Sequence, residues 1–302
     1  MKIIFMGTPD FAVRSLKRIY NDGHEIMCVI TQEDKPGNRG MKTIFNPVKD
    51  FASSHDIPVL QPATLKDEKT IESIRRSNCD LIVVVAYGKF LPKEILDIPP
   101  LGCINIHGSL LPKYRGASPI QHAVLNGEKE TGVTSQFISE RMDAGDIIFT
   151  EKTHIGDDET SGDLFIRLSL MGAELLSKTI NALSQNTAVR IPQNDDEATY
   201  APLLTKEMTM IDWNKKAFEI KCKVRALNPR PAAKMEFCNK ILKVFSVDIT
   251  QNKTNLTPGS IISSEKPGLE IACSDGTVLL NEIQSPGGKR MHASEFIKGF
   301  RG

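Results

Sequence analysis

Apolar residues in the first 200 positions fall into short continuous runs separated by helically spaced stretches. KIIFM reads as a strand, residues 11–20 show helical spacing, and EIMCVIT returns to a strand pattern. IPVL, a helical stretch near residues 67–77, DLIVVVA and CINIH continue this rhythm. Alternating helices and uniformly apolar strands are typical of a mainly parallel sheet with both faces covered. We therefore predict an α/β fold for this part of the chain.

The first strand is followed by the turn GTPDF. Thr8 and Pro9 have the residue types favoured at the N-cap and first position of a helix, so the first helix is expected to start there. The turn lacks the GxGxxG pattern of dinucleotide-binding proteins. A nucleotide-dependent oxidoreductase, otherwise a reasonable interpretation of an α/β pattern, is therefore disfavoured.

The pattern changes after an apolar helical stretch at about residues 160–183. The polar segment QNDDEATYAPL resembles a linker, and IDWNKKAFEIKCKVRAL predicts one amphipathic helix ending before Pro229 and Pro231. Short strands separated by Gly, Pro, Asn or Asp follow, as in a small β-barrel. We predict a first domain at residues 1–189, a linker at 190–205 and a barrel domain at 206–302.

Composition is that of a soluble globular protein, with 40% hydrophobic and 25% charged residues. The run LIVVVA is far shorter than the roughly 20 residues that span a bilayer. The start, MKIIFMGTPDF, reads as a strand and not as a secretory signal. The six cysteines are scattered without a CxxC pair, which predicts reduced, buried thiols, and the six histidines form no metal-binding motif. No metal site is expected.

Charge is distributed unevenly along the chain. Residues 1–200 carry 22 Lys and Arg against 27 Asp and Glu, whereas residues 201–302 carry 16 against 10. A basic C-terminal part would attract a phosphate backbone. Lysines that protect a strand edge explain the same charge equally well, so charge alone leaves both interpretations open.

Candidate chemistry lies at the end of the CINIH strand. Asn105 and His107 are two positions apart, so their side chains share a face and an amide and an imidazole can converge on one oxygen atom. Taken alone this is a weak signal, because a strand histidine is more often structural. The Gly- and Pro-marked loop HGSLLPKYRGASPI follows, and the later loop MDAGD carries Asp143 and Asp146. If GVTSQFI pairs beside CINIH, a carboxylate from that loop reaches His107.

NIHGSLLPKYRGASPI together with MDAGDI resembles the signature of the folate-dependent formyltransferases. GTPDFA, TQEDKPGNRG, VVAYG, IDW, VRALNPRP and PGGKRM extend the resemblance over nearly the whole chain, to family members that act on methionyl-tRNA. The resemblance implies a Rossmann-like transferase domain followed by a small OB-like β-barrel. It also implies 10-formyltetrahydrofolate as co-substrate, no metal, and initiator methionyl-tRNA as partner.

The resemblance also assigns roles to individual residues. It implies catalysis by Asn105, His107 and Asp143, and a structural role for Asp146. Folate contacts are expected at Ser109, Leu110, Leu111, Pro112, Val85, Ala86, Tyr87 and Gly88. RNA contacts are expected at Lys35, Arg39 and Lys42, in a loop similar to one that binds the acceptor end of tRNA, and at Lys215, Arg225 and Arg230 in the basic part.

The predicted reaction is attack by the α-amine of tRNA-bound methionine on the formyl carbon. Asn105 and a protonated His107 would hold the oxyanion, and Asp143 would orient the imidazole. With water or an amino sugar as acceptor, the protein would be a 10-formyltetrahydrofolate hydrolase or a sugar formyltransferase. A non-catalytic folate- or RNA-binding module is an alternative of another class, but it would not need the polar trio. A bacterial cytoplasmic monomer is expected.

Overall fold

The computed structural model describes residues 1–34, 46–250, 252–263 and 268–299. Contacts divide the chain into two compact units. Unit 1 comprises Met1–Pro119, Thr131–Thr153 and Phe165–Ala201, and unit 2 comprises Ile120–Glu130, His154–Leu164 and Pro202–Gly302. Two stretches that precede residue 165 thus belong to the same unit as the C-terminal part of the chain. The domain limits at 189 and 206 stay a prediction.

Unit 1 is built on a seven-stranded sheet in the order β3-β2-β1-β4-β5-β6-β7. Strands β1 to β5 pair in parallel, and β6 pairs antiparallel with β5. The predicted α/β class with a mainly parallel sheet is confirmed. The strands are β1 (Lys2–Gly7), β2 (Glu25–Ile30), β3 (Val59–Leu60), β4 (Leu81–Val85), β5 (Cys103–His107), β6 (Glu130–Phe137) and β7 (Ile147–His154).

The central strands of this sheet are buried along their whole length. All five residues of β4 are buried, as are Ile3 to Met6 of β1, which explains why these segments read as continuous apolar runs. No helix in the described part of the chain is long and apolar enough to cross a membrane. The helices up to residue 184 are α1 (Asp10–Asn21), α2 (Pro47–Ser53), α3 (Glu68–Arg76), α4 (Lys93–Leu96), α5 (Pro119–Leu125) and α6 (Ser161–Ser184).

The start of α1 differs from the prediction. The N-cap residue is Pro9, not Thr8, and the helix begins at Asp10. The Thr8 hydroxyl accepts a hydrogen bond from the backbone N–H of Gln32 at 3.3 Å. Thr8 therefore ties the end of β1 to the end of β2 and does not cap the helix.

Helices α2 and α5 were not predicted. α2 has a regular start, because the Asn46 side chain accepts hydrogen bonds from the N–H groups of Val48 and Lys49 and Pro47 follows the cap. Each of these helices has seven residues, too few to show an apolar period. The first two residues of α5 also belong to the stretch HGSLLPKYRGASPI that was interpreted as a loop.

Unit 2 contains an antiparallel sheet in the order β10-β11-β12-β9-β8, with β13 also paired to β12. Together with α7 it forms a small half-barrel around an apolar core that includes Ile220, Leu242 and Leu280. The expected small β-domain is confirmed. Its elements are α7 (Ala217–Leu227), β8 (Ala233–Phe237), β9 (Lys240–Ile249), β10 (Ile261–Ser263), β11 (Leu269–Ala272), β12 (Thr277–Gln284), β13 (Arg290–His292) and α8 (Ala293–Gly299).

Helix α7 is shorter than the predicted amphipathic helix. The segment before it contains a turn in which the Asp212 side chain accepts hydrogen bonds from the backbone and side-chain N–H groups of Asn214. The helix starts at Ala217, whose N–H donates to Asp275 Oδ1 at 2.8 Å. A local side-chain bond of Asp competes with helix formation, so the prediction for residues 211–216 was wrong.

Candidate active site

Asn105 and His107 lie on β5, where the sheet changes from parallel to antiparallel pairing. Asn105 is opposite Gln136 of β6, and His107 is opposite Thr134. Directly opposed residues of an antiparallel pair place their side chains on one face, so these four side chains lie together. The predicted pairing of GVTSQFI beside CINIH is confirmed.

The loop between β6 and β7 brings Asp143 to the same place. Asp143 Oδ2 accepts the Gly116 N–H at 2.9 Å, and Oδ1 accepts a hydrogen bond from Gln136 Nε2 at 3.2 Å. Oδ1 also lies 3.7 Å from Nδ1 of His107. A carboxylate from the MDAGD loop therefore reaches the imidazole, as the sequence predicted.

The MDAGD loop folds back tightly on the end of β6 because it contains a glycine. A Cβ at Gly145 would lie 1.8 Å from the carbonyl oxygen of Phe137, a distance no other residue tolerates. The Phe137 N–H donates to the carbonyl oxygen of Asp146 at 2.9 Å. Gly145 and Asp146 thus determine the path of the loop that carries Asp143.

His107 is buried, with 6% of its surface exposed, and its two ring nitrogens have different surroundings. Nε2 lies 2.9 Å from the carbonyl oxygen of Tyr114. A carbonyl only accepts, so Nε2 carries a proton and donates to it. Nδ1 is the nitrogen that faces Asp143, and it donates only when the ring is the imidazolium cation. The geometry therefore assigns any hydrogen bond from His107 to a reacting oxygen to Nδ1 of a protonated ring.

Asn105 differs from its neighbours because its side-chain amide forms no hydrogen bond that stabilises the described part of the fold. The residue is half-buried, and its side chain makes no hydrogen bond to any other residue that the structure describes. A half-buried amide without a partner is available to a ligand. Asn105 and His107 thus offer two donors on one face of the sheet, which is the arrangement that stabilises a negative oxygen.

The loop predicted to contact folate begins directly after β5. Ser109 is fully buried, and its hydroxyl donates to the Lys113 carbonyl at 2.7 Å. Thr134 Oγ1 donates to the Ser109 carbonyl at 2.7 Å and accepts the Leu111 N–H at 3.2 Å. The side chain of Ser109 is therefore committed to the shape of the loop, while Leu110 and Pro112 are partly exposed.

The end of β4 also lies at the carboxyl edge of the sheet. Val85 and Tyr87 are buried and Tyr87 packs in the core, whereas Ala86 and Gly88 are exposed with positive φ angles of 47° and 77°. Burial raises the pKa of Tyr87 to about 12. Of the predicted folate-contacting residues here, only Ala86 and Gly88 present surface for a ligand. The side chains of Val85 and Tyr87 are buried and pack beneath the surface at this strand end.

The region between β1 and β4 is the switch point of the sheet, since β2 and β3 lie on one side and β5 on the other. Ligands of open α/β sheets bind outside the carboxyl ends of strands near such a point. Among the residues that the structure describes, no group of three or more His, Cys, Asp or Glu side chains is placed to hold a metal ion.

Comparison with known proteins identifies the family. One family profile, described as formyl transferase, matches residues 1–180, and a second, described as formyl transferase C-terminal domain, matches residues 203–301. The chain belongs to the formyltransferase family. The resemblance inferred from NIHGSLLPKYRGASPI and MDAGDI is thereby confirmed.

Individual formyltransferases differ in how closely they match. The chain is 44% identical over 302 residues to the methionyl-tRNA formyltransferase of Acetivibrio thermocellus, covering 100% of this chain and 97% of that protein. HypX from Aquifex aeolicus, in complex with tetrahydrofolic acid, has a TM-score of 0.68 at 18% identity, covering 99% of this chain and 48% of the HypX chain. This formyltransferase thus spans about half the length of HypX.

The sugar 3N-formyl transferase WlaRD, solved in the presence of dTDP and 5-N-formyl-THF, has a TM-score of 0.69 at 21% identity. The match covers 93% of this chain and 97% of WlaRD. At this level of identity the two solved structures show that the fold is shared. The two structures do not indicate which acceptor this chain uses, so the acceptor has to be inferred from other observations.

The residues of this formyltransferase predicted to contact RNA lie in two regions. Lys35, Arg39 and Lys42 lie outside the described residues, so their role stays a prediction. In unit 2, Arg225 donates to the carbonyl oxygens of Glu159 at 3.0 Å and Gly156 at 2.8 Å. Two of the guanidinium nitrogens of Arg225 therefore already form hydrogen bonds within unit 2.

Lys215 and Arg230 are exposed. Lys215 lies 3.7 Å from Glu219 one helical turn away, and such an exposed ion pair contributes little and is readily replaced by a phosphate. These two cations are thus better placed to meet RNA than Arg225 is, and their role stays a prediction.

Sequence reasoning missed the residues that hold the trio in place. Gln136 and Thr134 carry no chemistry of their own, but both bond directly to Asp143 or to the loop after His107. Their period-two positions opposite Asn105 and His107 were the available signal. Arg115 is 1% exposed and belongs to the same supporting network.

Proposed function

We propose that this enzyme transfers the formyl group of 10-formyltetrahydrofolate to the α-amine of initiator methionyl-tRNA. The observation that carries the proposal is identity of 44% over the full chain to a methionyl-tRNA formyltransferase. The placement of an amide, an imidazole and a carboxylate at the end of β5 and the adjacent loop supports it. Three convergent polar groups of this kind suit acyl transfer.

In the proposed reaction, the neutral α-amine attacks the formyl carbon. A carbon–nitrogen bond forms to the methionine, the formyl oxygen becomes negative, and the bond to N10 of the folate then breaks. Asn105 Nδ2 and Nδ1 of the protonated His107 donate to that oxygen. Two such donors in a site sheltered from water stabilise the transition state by several kcal/mol, at about 2.7–4 kcal/mol for each.

Asp143 has two functions in this scheme. Its carboxylate oxygen lies 3.7 Å from Nδ1 of His107 and so helps to fix the orientation of the ring. It also accepts the proton that the amine loses, through a water molecule, and this proton then passes to the departing N10 as tetrahydrofolate leaves, which restores the carboxylate. Protons and charge are then balanced over one turnover.

The ends of β4 and β5 present exposed residues that could contact the folate. Ala86 and Gly88 are exposed at the end of β4, and Gly88 has a positive φ of 77° that favours glycine, so this strand end presents backbone with little side chain to a ligand. Leu110 and Pro112 supply partly exposed apolar surface beside the trio. The bound folate supplies the formyl group, and these residues would hold its ring system.

The acceptor is proposed to be RNA because the C-terminal part carries 16 Lys and Arg against 10 Asp and Glu. Lys215 and Arg230 are the described residues we assign to phosphate contacts, with Lys35, Arg39 and Lys42 as further predicted contacts. We also propose a location in a bacterial cytoplasm, since the relatives of 44% to 45% identity are proteins of bacteria. That the protein is a monomer stays a prediction.

Four acceptors tested with 10-formyltetrahydrofolate separate the alternatives. Release of tetrahydrofolate should require initiator methionyl-tRNA and be far slower with elongator methionyl-tRNA, an amino sugar nucleotide or water alone. Release in water without RNA would indicate a hydrolase, and release with the amino sugar would indicate a sugar formyltransferase. Binding of folate and tRNA without any release would indicate the non-catalytic module.

A further inference from the structure

The segment at residues 191–201 contacts both loops of the active site, although its sequence resembles a linker. At one end Ile191 exchanges two backbone hydrogen bonds with Ile147, at 2.8 and 2.9 Å. At the other end the Arg115 N–H donates to the Thr199 carbonyl at 2.8 Å and the Ala201 N–H donates to the Arg115 carbonyl at 2.7 Å. The segment is therefore fixed to the start of β7 and to the loop that follows His107.

Gln193 lies within this segment and reaches the catalytic loop with its side-chain amide. Nε2 is 2.9 Å from the carbonyl oxygen of Asp143 and 2.7 Å from that of Gly145. It is also 3.1 Å from Oε1 of Gln136, the residue whose Nε2 donates to the Asp143 carboxylate. One amide thus holds the backbone of the acid and touches the side chain that holds its carboxylate.

Arg115 determines which way the Gln193 amide points. Nε and Nη2 of the buried guanidinium donate to Gln193 Oε1 at 3.0 and 2.8 Å, and Nη1 donates to Asp195 Oδ1 at 2.9 Å. Since two donors face Oε1, the NH2 group has to face the carbonyls of Asp143 and Gly145. A buried guanidinium without these acceptors would be costly, so the orientation is strongly determined.

Asp143 needs this support because of its backbone conformation. Its φ is +49°, in the left-handed region, which residues with a side chain adopt uncommonly although Asp and Asn adopt it more readily than most. The Gln193 bond to the Asp143 carbonyl and the Gly116 bond to its carboxylate hold the residue from two directions. Without the first bond, the loop is free to relax and to move Oδ1 relative to His107 Nδ1.

We propose that Gln193 is a positioning residue that sets the Asp143 carboxylate against His107, with Arg115 orienting its amide. This inference rests on the proposed formyl transfer. It gives the 191–201 segment a role in the chemistry of unit 1, in place of a passive connection. Gln193 itself touches neither substrate.

Gln193→Glu separates positioning from simple support of the fold. The carboxylate still accepts from Arg115, which keeps the buried guanidinium paired, so the protein should fold. The carboxylate has no N–H to donate to the two carbonyls and places an oxygen against them instead, so the melting temperature should be lowered. We expect kcat for formyl transfer to fall about 10- to 100-fold, with KM for folate and tRNA changed less than about threefold. Glu197→Gln, an exposed change in the same segment, is the matched control and should keep wild-type kcat.

A double-mutant cycle with Asp143→Asn identifies the path of the effect. If Gln193 acts through Asp143, adding Q193E to D143N should lower kcat by less than about twofold, because the carboxylate it positions is already absent. If Q193E unfolds, Gln193→Asn supplies the same test, since its shorter amide does not reach the two carbonyls.

Wild-type kcat in the folded Gln193 variant, or a loss that is fully additive with D143N, would overturn the positioning role. Failure of the proposed function itself gives a different result, because the wild type and E197Q would then also be inactive toward methionyl-tRNA.

Discussion

Replacing Asn105 by alanine should slow catalysis strongly while leaving the fold almost unchanged. Its amide makes no hydrogen bond to another described residue and the side chain is only half-buried, so truncation leaves no buried group without a partner. The loss of folding free energy is expected to be below about 1 kcal/mol. The amide is instead one of two donors to the oxyanion, and losing one such donor typically costs about 2.7–4 kcal/mol of transition-state stabilisation. The expected fall in kcat is about 100- to 1000-fold.

The variant Asn105→Asp distinguishes an electrostatic role of Asn105 from a steric one. It has almost the same size as asparagine but places negative charge beside the forming oxyanion. Two such charges about 4 Å apart repel by about 4 kcal/mol at an effective dielectric constant of about 20. N105D should therefore be less active than N105A. A purely steric role for Asn105 predicts the opposite order.

Single-turnover formylation of methionyl-tRNA with saturating folate measures the chemical step directly, and thermal melting reports the fold. Asn21→Ala, the same substitution at an exposed position at the end of α1, is the matched control. Retention of more than about a tenth of wild-type turnover by N105A, with unchanged melting, would refute the oxyanion role.

Three further predictions concern other parts of the molecule. Asp143→Asn should fold normally, because Asn tolerates a positive φ, yet lose about 100-fold or more in kcat; near-normal turnover at neutral pH would contradict the assignment. Cys238 is exposed, whereas the other five cysteines are buried and burial raises the pKa of each of those thiols, so a disulfide reagent should modify one thiol rapidly in the folded protein and six after unfolding. Arg141 and Arg115 lower the pKa of Asp195. A carboxyl group whose pKa is lowered in the folded state contributes stability above its ordinary pKa near 4, and this stability is lost as the pH falls through the lowered value. The small melting difference between wild type and Asp195→Asn should therefore begin to shrink as the pH falls below about 4, and a constant difference down to pH 2 would exclude this linkage.

Much of the site was predictable because its elements are local and periodic. CINIH has a period of two that places Asn105 and His107 on one face, and the following loop has the Gly and Pro content of a binding loop. The pairing of β6 beside β5 then required only that GVTSQFI be a neighbouring strand. These patterns predicted a carboxylate from the MDAGD loop. The resemblance to the formyltransferases singled out Asp143, and its 3.7 Å distance from His107 agrees.

The parts that escaped prediction depend on contacts distant in sequence. Gln193 lies 50 positions from Asp143, in a polar stretch without periodicity, so nothing local distinguishes it from a linker residue. The commitment of His107 Nε2 to the Tyr114 carbonyl likewise depends on how the loop closes. Thr8 resembled an N-cap, but its hydroxyl is bonded to a different strand, which a local capping rule does not anticipate.

The central claim is transfer of a formyl group to the methionine on tRNA. The most direct measurement uses 10-formyltetrahydrofolate labelled with ¹³C in the formyl carbon, methionylated initiator tRNA and the full chain, followed by mass analysis of the released amino acid. We predict one labelled formyl group on the methionine nitrogen for each tetrahydrofolate formed, with no labelled product from His107→Ala beyond background. Label recovered as formate, with the methionine unmodified, would contradict the account.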